Sequence, residues 1–226
     1  MAAKNSIKIY VEDGYYHIYN RGVEKRLIFL DQQDYGVFIS YLKEYLSPKD
    51  EKSLRQKLSN PDTSYKEKDK TLKALRLNNF SGEISLLTYC LMPNHFHFFV
   101  KQRSANSIDR FMQSISTRYT MYFNRKYERV GSLFQAVYKA VLIVHENQFL
   151  HLSRYIHKQA LALQGESLQT QPCSYEEYLG RRNTEWVKPE EVLAYFSKTS
   201  PKNSYQAFVS EQEDFSVIED LRLEED

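Results

Sequence analysis

Two apolar runs separated by two residues constrain this chain more than any other feature in it. Residues 84–92 read ISLLTYCLM and residues 95–100 read HFHFFV, with Pro93 and Asn94 between them. Runs this continuous, preceded by Gly82 and broken by a Pro-Asn turn signal, suit neighbouring strands covered on both faces. The spacing predicts a central hairpin. Strand side chains alternate, so the second run is also divided: Phe96 and Phe98 point to one face, His95 and His97 to the other. A single strand thus supplies a core and a pair of imidazoles.

The remaining elements follow from periodicity. Residues 15–21, YYHIYNR ahead of Gly22, read as a first strand. Tyr35, Phe38, Leu42 and Tyr45 or Leu46 recur at helical spacing, with Asp31 or Asp34 as N-cap and Pro48 as the stop. Ile108, Phe111 or Met112, Ile115, Tyr119 and Tyr122 or Phe123 repeat in the same way behind Ser107 as cap. A strand over 138–144 and a helix over 146–163 follow. The order β-α-β-β-α-β-α predicts an α+β fold: a ferredoxin-like split βαβ, with an antiparallel sheet and helices on one face. Residues 1–182 form the main domain. Within it, 49–82 read as a charged insertion, since 49–79 hold nine Lys/Arg and five Asp/Glu with few large apolar residues. Residues 183–226 predict a small helical appendage, its PEEVLAYFS helix opening on Pro189 and acidic residues, and ending in an acidic tail read as a solubilising terminus.

The formal net charge of +2 hides an asymmetry. Residues 203–226 carry eight Asp/Glu against Arg222, a net −7, which leaves +9 on the preceding 202 residues. A body this basic attracts a polyanion. Arg21, Lys25 and Arg26 after the first strand, Lys101 and Arg103 after the hairpin, Arg110, Arg118, Arg125 and Lys126 along the next helix, and Arg129 beyond it form the candidate DNA-binding set. Such residues hold phosphates rather than read bases. The eighteen tyrosines supply surfaces on which unpaired bases can stack. Cys90 and Cys173 sit far apart without a CxxC partner, so neither a disulfide framework nor a cysteine zinc site is suggested. No apolar run approaches a membrane span and the start lacks a signal-peptide core, so a cytoplasmic protein is expected.

Two imidazoles converging on one face are either half of a divalent-metal site or a pair of hydrogen-bonded histidines, and spacing alone leaves both open. A second stripe offers what a metal site needs. Tyr155 and Gln159 are four apart on the predicted helix and share a face, which His151 extends by one turn. A Gln carbonyl oxygen can ligate Mg²⁺ or Mn²⁺, and a tyrosine one turn away can present its hydroxyl to a phosphate; an ordinary surface stripe is the alternative. Among other tyrosines, Tyr119 has Ile115 and Phe123 one turn away and reads as packing, while Tyr122, between Arg118 and Lys126, suits phosphate binding.

The run Leu91-Met92-Pro93-Asn94-His95-Phe96-His97 resembles the histidine-hydrophobic-histidine (HUH) motif of single-tyrosine transposases, in the form shown by REP-associated tyrosine transposases. YHIYNRGVEKRLIF from Tyr16, RVGSLFQ from Arg129, RYIHKQAL from Arg154 and PCSYEEYLG from Pro172 are similar to the family in the same order, so the resemblance spans roughly residues 10–182. It implies His95 and His97 as metal ligands, Tyr155 as nucleophile and Gln159 as third ligand. Gln159 departs from the Asn common in REP-associated members and matches the related insertion-sequence enzymes. The resemblance further implies a Mg²⁺- or Mn²⁺-dependent transposase and endonuclease, monomer or homodimer, that cuts and rejoins single-stranded or hairpin DNA through a 5′-phosphotyrosine. His157 or His151 would assist the tyrosine, and His17 would support the site or sit buried as an ordinary hydrogen-bonded histidine. A catalytically idle DNA-binding regulator and a replication-initiator-like nickase are the competing readings.

Overall fold

The computed structural model describes residues 8–162, 171–211 and 215–221. Four strands, β1 (Tyr15–Arg21), β2 (Ile84–Met92), β3 (His95–Gln102) and β4 (Lys139–Ile143), form one sheet in the order β2-β3-β1-β4. Every neighbouring pair is antiparallel. The order places β1 and β3 at the centre, as a split βαβ requires. The first three strands begin where the alternation predicts, whereas β4 is two residues shorter than expected because Tyr138 and Val144 fall outside the ladder.

Between the strands run α1 (Gln32–Leu46) and α4 (Ser107–Lys126). Asp31 caps α1 by accepting from the Asp34 N–H. The expected cap of α4 is not one: Asn106 occupies that position, and the Ser107 hydroxyl instead donates to Glu83. Both helices lay their apolar stripes on one face of the sheet, where Phe38, Phe111, Ile115 and Tyr119 meet Tyr16, Ile18, Phe96 and Phe98. This face is an aromatic core, with Phe38 edge-on to Tyr119 at 4.9 Å between ring centres.

The charged insertion is a helical hairpin, α2 (Glu51–Ser59) and α3 (Tyr65–Arg76), in which only Thr71 is buried. The capping box of Ser64 and Glu67 starts α3, so local signals hold up a segment that buries little.

The other face of the sheet is covered as well. There α5 (Glu146–Ala162) crosses β2, and α6 (Tyr175–Tyr178), α7 (Glu190–Leu193), α8 (Tyr205–Ser210) and a 3₁₀ segment at Phe215–Leu221 complete the layer. Val192, Tyr205, Val209, Ile218 and Leu221 are buried in one cluster with Leu87, Phe99, Leu152 and Tyr155. The residues read as an appendage thus contribute to this second core. Of the acidic end, 212–214 and 222–226 lie outside the described residues.

Candidate active site

Position 17 on β1 and positions 95 and 97 on β3 share the face turned toward α5, because the β1–β3 register pairs Tyr19 with His97 and Arg21 with His95. The ring centres of His95 and His97 are 4.9 Å apart and those of His17 and His97 are 5.1 Å apart. Sequence alternation had brought the first two together. The third joins them only through strand pairing.

Each histidine is held by its Nδ1. The Asn94 amide donates from Nδ2 to the Lys25 carbonyl at 3.3 Å, which turns its Oδ1 toward His95 Nδ1 at 2.6 Å. An amide oxygen only accepts, so His95 carries its proton on Nδ1 and leaves Nε2 as a lone pair. His97 Nδ1 meets His17 Nε2 at 2.9 Å, and His97 Nε2 is buried with no hydrogen-bond partner among the described residues. Burial holds all three imidazoles in the neutral form. It pushes His95 down to about 4 with help from the Arg21 charge, and His17 down to about 3. His97, beside two other histidines, also lies well below the ordinary range.

A neutral imidazole with an unpaired Nε2 is the form that binds a divalent ion. The orphaned Nε2 of His97 is costly in a dry interior, and a metal ligand bond is a partner that would offset that cost. Among the described residues no three His, Cys, Asp or Glu side chains gather to hold a metal. The pair thus needs another donor type to complete a site, and Gln159 stands half-buried on α5, one turn beyond Tyr155.

Tyr155 reaches the histidines from α5. Its ring centre lies 5.5 Å from that of His97 and 6.1 Å from that of His17, edge-on to both, and the residue is 4% exposed. The two proposed helpers are elsewhere. His157 is buried with Nδ1 at 2.7 Å from the Tyr205 hydroxyl and Nε2 at 2.8 Å from the Ser174 hydroxyl, so both nitrogens are committed to packing α5 against the C-terminal layer. His151 accepts from Arg154 at 2.8 Å and packs on Phe208. Tyr119 is packing, as its neighbours predicted, with its hydroxyl donating to the Ile28 carbonyl. Tyr122 is not poised for a phosphate, since its hydroxyl donates to Asp34 at 2.9 Å.

The basic set divides. Arg21, Lys25 and Arg26 lie at the His95 end of the hairpin, where Gly22 N–H donates to the Asn94 carbonyl. Gly22 is required there, because a Cβ would sit 2.2 Å from the Arg26 carbonyl oxygen. Glu24 and Lys25 follow in the left-handed region, at φ 56° and 55°, and this strained turn carries the carbonyl that orients Asn94. Arg129 bonds the Asn124 side chain, and Arg103 and Arg125 are exposed. Lys101, Arg110 and Arg118 are ion-paired with Glu191, Glu83 and Glu44. Lys126 is tied to Asp31 and to the buried Asp34, at 2.7 and 2.8 Å. Residues on α4 also belong to the layer across the sheet from Tyr155.

Residues 54–159 match the family model described as "Transposase IS200 like". Over this segment the chain is similar to the IS200-like transposases. The segment contains His95, His97, Tyr155 and Gln159, and excludes β1 and the C-terminal layer. The structure of a REP-associated tyrosine transposase bound to a REP hairpin is similar at 10% identity, covering 80% of this chain and 95% of its own, with a TM-score of 0.48. A structure from Deinococcus radiodurans R1 assigned as a transposase is similar at 13% identity, covering 70% and 98% respectively, with a TM-score of 0.36. No curated protein matches the chain. No helix among the described residues is long and apolar enough to cross a membrane.

Proposed function

We infer that this protein is an IS200-like transposase, a divalent-metal-dependent enzyme that cleaves and rejoins single-stranded or hairpin DNA, with Tyr155 as nucleophile. The observation that carries the reading is the meeting of Tyr155, edge-on, with a His97 whose Nε2 is buried without a partner among the described residues. His95, His97 and Gln159 would hold Mg²⁺ or Mn²⁺. The ion, when bound, withdraws charge from the scissile phosphate. Tyr155 Oη attacks the phosphorus, a 5′-phosphotyrosine bond forms, the P–O3′ bond breaks, and the departing 3′-oxygen ends protonated as a hydroxyl. A later 3′-hydroxyl reverses the exchange and releases the tyrosine, so strand transfer needs no external energy source. Arg21, Lys25 and Arg26 would hold phosphates flanking His95, with Arg26 exchanging its Glu24 partner for a phosphate, and the preference for hairpins rests on the sequence resemblance.

The burial of Tyr155 favours one second reading, a regulator that binds DNA on this fold without cutting it. One experiment separates them. A labelled hairpin oligonucleotide with a single-stranded flank is incubated with the protein and Mn²⁺, and the covalent adduct is sought on a denaturing gel. The enzyme reading expects an adduct that EDTA and Tyr155→Phe each remove while hairpin binding persists. Binding with no adduct under any metal condition leaves the regulator.

A further inference from the structure

Resting on the reading of His97 as a metal ligand, we propose that His17 is a positioning residue of the metal site, relaying a hydrogen bond from the C-terminal segment that fixes which nitrogen of His97 is offered to the ion.

The relay has one direction. It begins at the Leu221 carbonyl oxygen, 2.6 Å from His17 Nδ1 and 204 residues away in sequence. A carbonyl has no proton to give, so His17 donates from Nδ1. In a neutral imidazole the second nitrogen is then bare, and His17 Nε2 must accept. Its partner at 2.9 Å, His97 Nδ1, is therefore the protonated nitrogen of that ring. His97 Nε2 is left as the lone pair, at the atom that is buried without a partner. Reversing either proton places two N–H groups or two lone pairs face to face, or turns an N–H into the unsatisfied position.

His17 is itself fully buried and stacked against His97 at an interplanar angle of 19°, so the relay also holds the ring plane. The anchor is secure for the same reason: Leu221 and Ile218 are buried against α5 in the cluster that contains Tyr155. Asn94 does for His95 what His17 does for His97, with the Lys25 carbonyl as the terminal acceptor. The C-terminal segment lies outside the matched family segment, yet its carbonyl sets the chemistry of a residue inside it.

The test uses the full chain with ¹⁵N-labelled histidine, free of metal, and reads tautomers from long-range ¹H–¹⁵N correlations. The relay expects both His17 and His97 as Nδ1–H tautomers. His17→Gln keeps an acceptor for His97 and a donor for Leu221, so it should preserve the His97 tautomer and hold Mn²⁺ affinity, measured by calorimetry, within about threefold of the parent. His17→Leu has no acceptor; His97 should redistribute between tautomers and Mn²⁺ affinity should fall by roughly tenfold or more. An Nε2–H tautomer at either residue in the parent overturns the relay. So does a His17→Leu protein with unchanged His97 signals, or a His17→Gln protein as impaired as His17→Leu. Should His17→Leu fail to fold, the parent spectrum and His17→Gln still decide. Absence of Mn²⁺ binding by the parent would sink the metal reading alone, because the tautomer assignments are made without metal.

Discussion

The two faces of the sheet are built from alternate residues of the same strands and differ in almost every other respect. Toward α1 and α4, Tyr16, Ile18, Phe96 and Phe98 are fully buried among aromatic neighbours. Toward α5, His17, His95 and His97 replace them, with each Nδ1 hydrogen-bonded and His97 Nε2 buried without a partner among the described residues. The apolar face is assembled from the crossover helices of the fold. The polar face is closed by chain that arrives last, at Tyr205, Ile218 and Leu221. On the proposed function, stability and chemistry are segregated by a single pleat, and the segregation can be tested.

The widest separation should come from one adjacent pair. His95→Ala removes a half-buried imidazole at the end of β3, so adduct formation should fall to background while unfolding in urea moves by less than about 1 kcal/mol. Phe98→Ala should cost about 3–5 kcal/mol of stability, since it empties a fully buried aromatic position. Substantial adduct formation by His95→Ala would show that the polar face is not catalytic, and a stability loss as large as that of Phe98→Ala would show that it is a second structural core.

Lys126 sharpens the same division on the α4 side. Asp34 is buried and, without Lys126, keeps the Leu30 N–H and the hydroxyls of Tyr122 and Tyr127 as its side-chain partners among the described residues. Lys126→Met should therefore cost about 1–3 kcal/mol in urea unfolding and leave hairpin affinity unchanged. The opposite pattern would return Lys126 to the DNA surface.

The C-terminal layer should be sensitive to acid. Burial holds His157 at about 3 against an ordinary 6.5. The unfolded chain takes up this proton first, so the folded state loses stability as pH falls from 6.5 toward 3, with a slope approaching 1.4 kcal/mol per pH unit. Urea midpoints at pH 7 and 5 should converge in His157→Gln more than in the parent; an equal drop in both would remove His157 from the account.

The smallest effect is expected at the rim. Arg21→Gln with Lys25→Gln should lower the slope of log affinity against log salt by roughly 0.7 per lost single-strand phosphate contact. An unchanged slope would place the phosphates elsewhere.

How much of this was legible beforehand depends on how far apart the partners lie. The hairpin, its alternation and the helix stripes are local periodicities, and β1, β2 and the start of β3 fall where they predict. The pairing of Tyr155 with Gln159 on one helix was legible for the same reason. His17 was visible only as a buried histidine, because its acceptor lies at Leu221 and its donor at His97, neither near it in sequence. His157 could not be placed from the sequence because a histidine two residues from Tyr155 lies on a different side of a helix, here toward Tyr205 and Ser174. Asn94 read as a turn residue while also orienting His95. Charge composition marked a basic body, but could not show that Lys101, Arg110, Arg118 and Lys126 spend their charge on carboxylates.

The two-residue turn between β2 and β3 has a consequence for how this chain can vary. Three backbone bonds lock it in place, from Ile28 and Phe29 to the Pro93 carbonyl and from Gly22 to the Asn94 carbonyl, at 2.8, 3.0 and 2.8 Å. Most loops absorb an inserted residue at small cost. Here an insertion that shifted β3 by one position would rotate both histidines into the aromatic core and both phenylalanines onto the face turned toward α5. Substitutions can wear down folding or activity separately, but a change of reading length at this turn removes both together. Descendants of this gene should therefore vary in length at α2–α3, where a charged hairpin rests on little, and hold a fixed count from Ile84 to Val100.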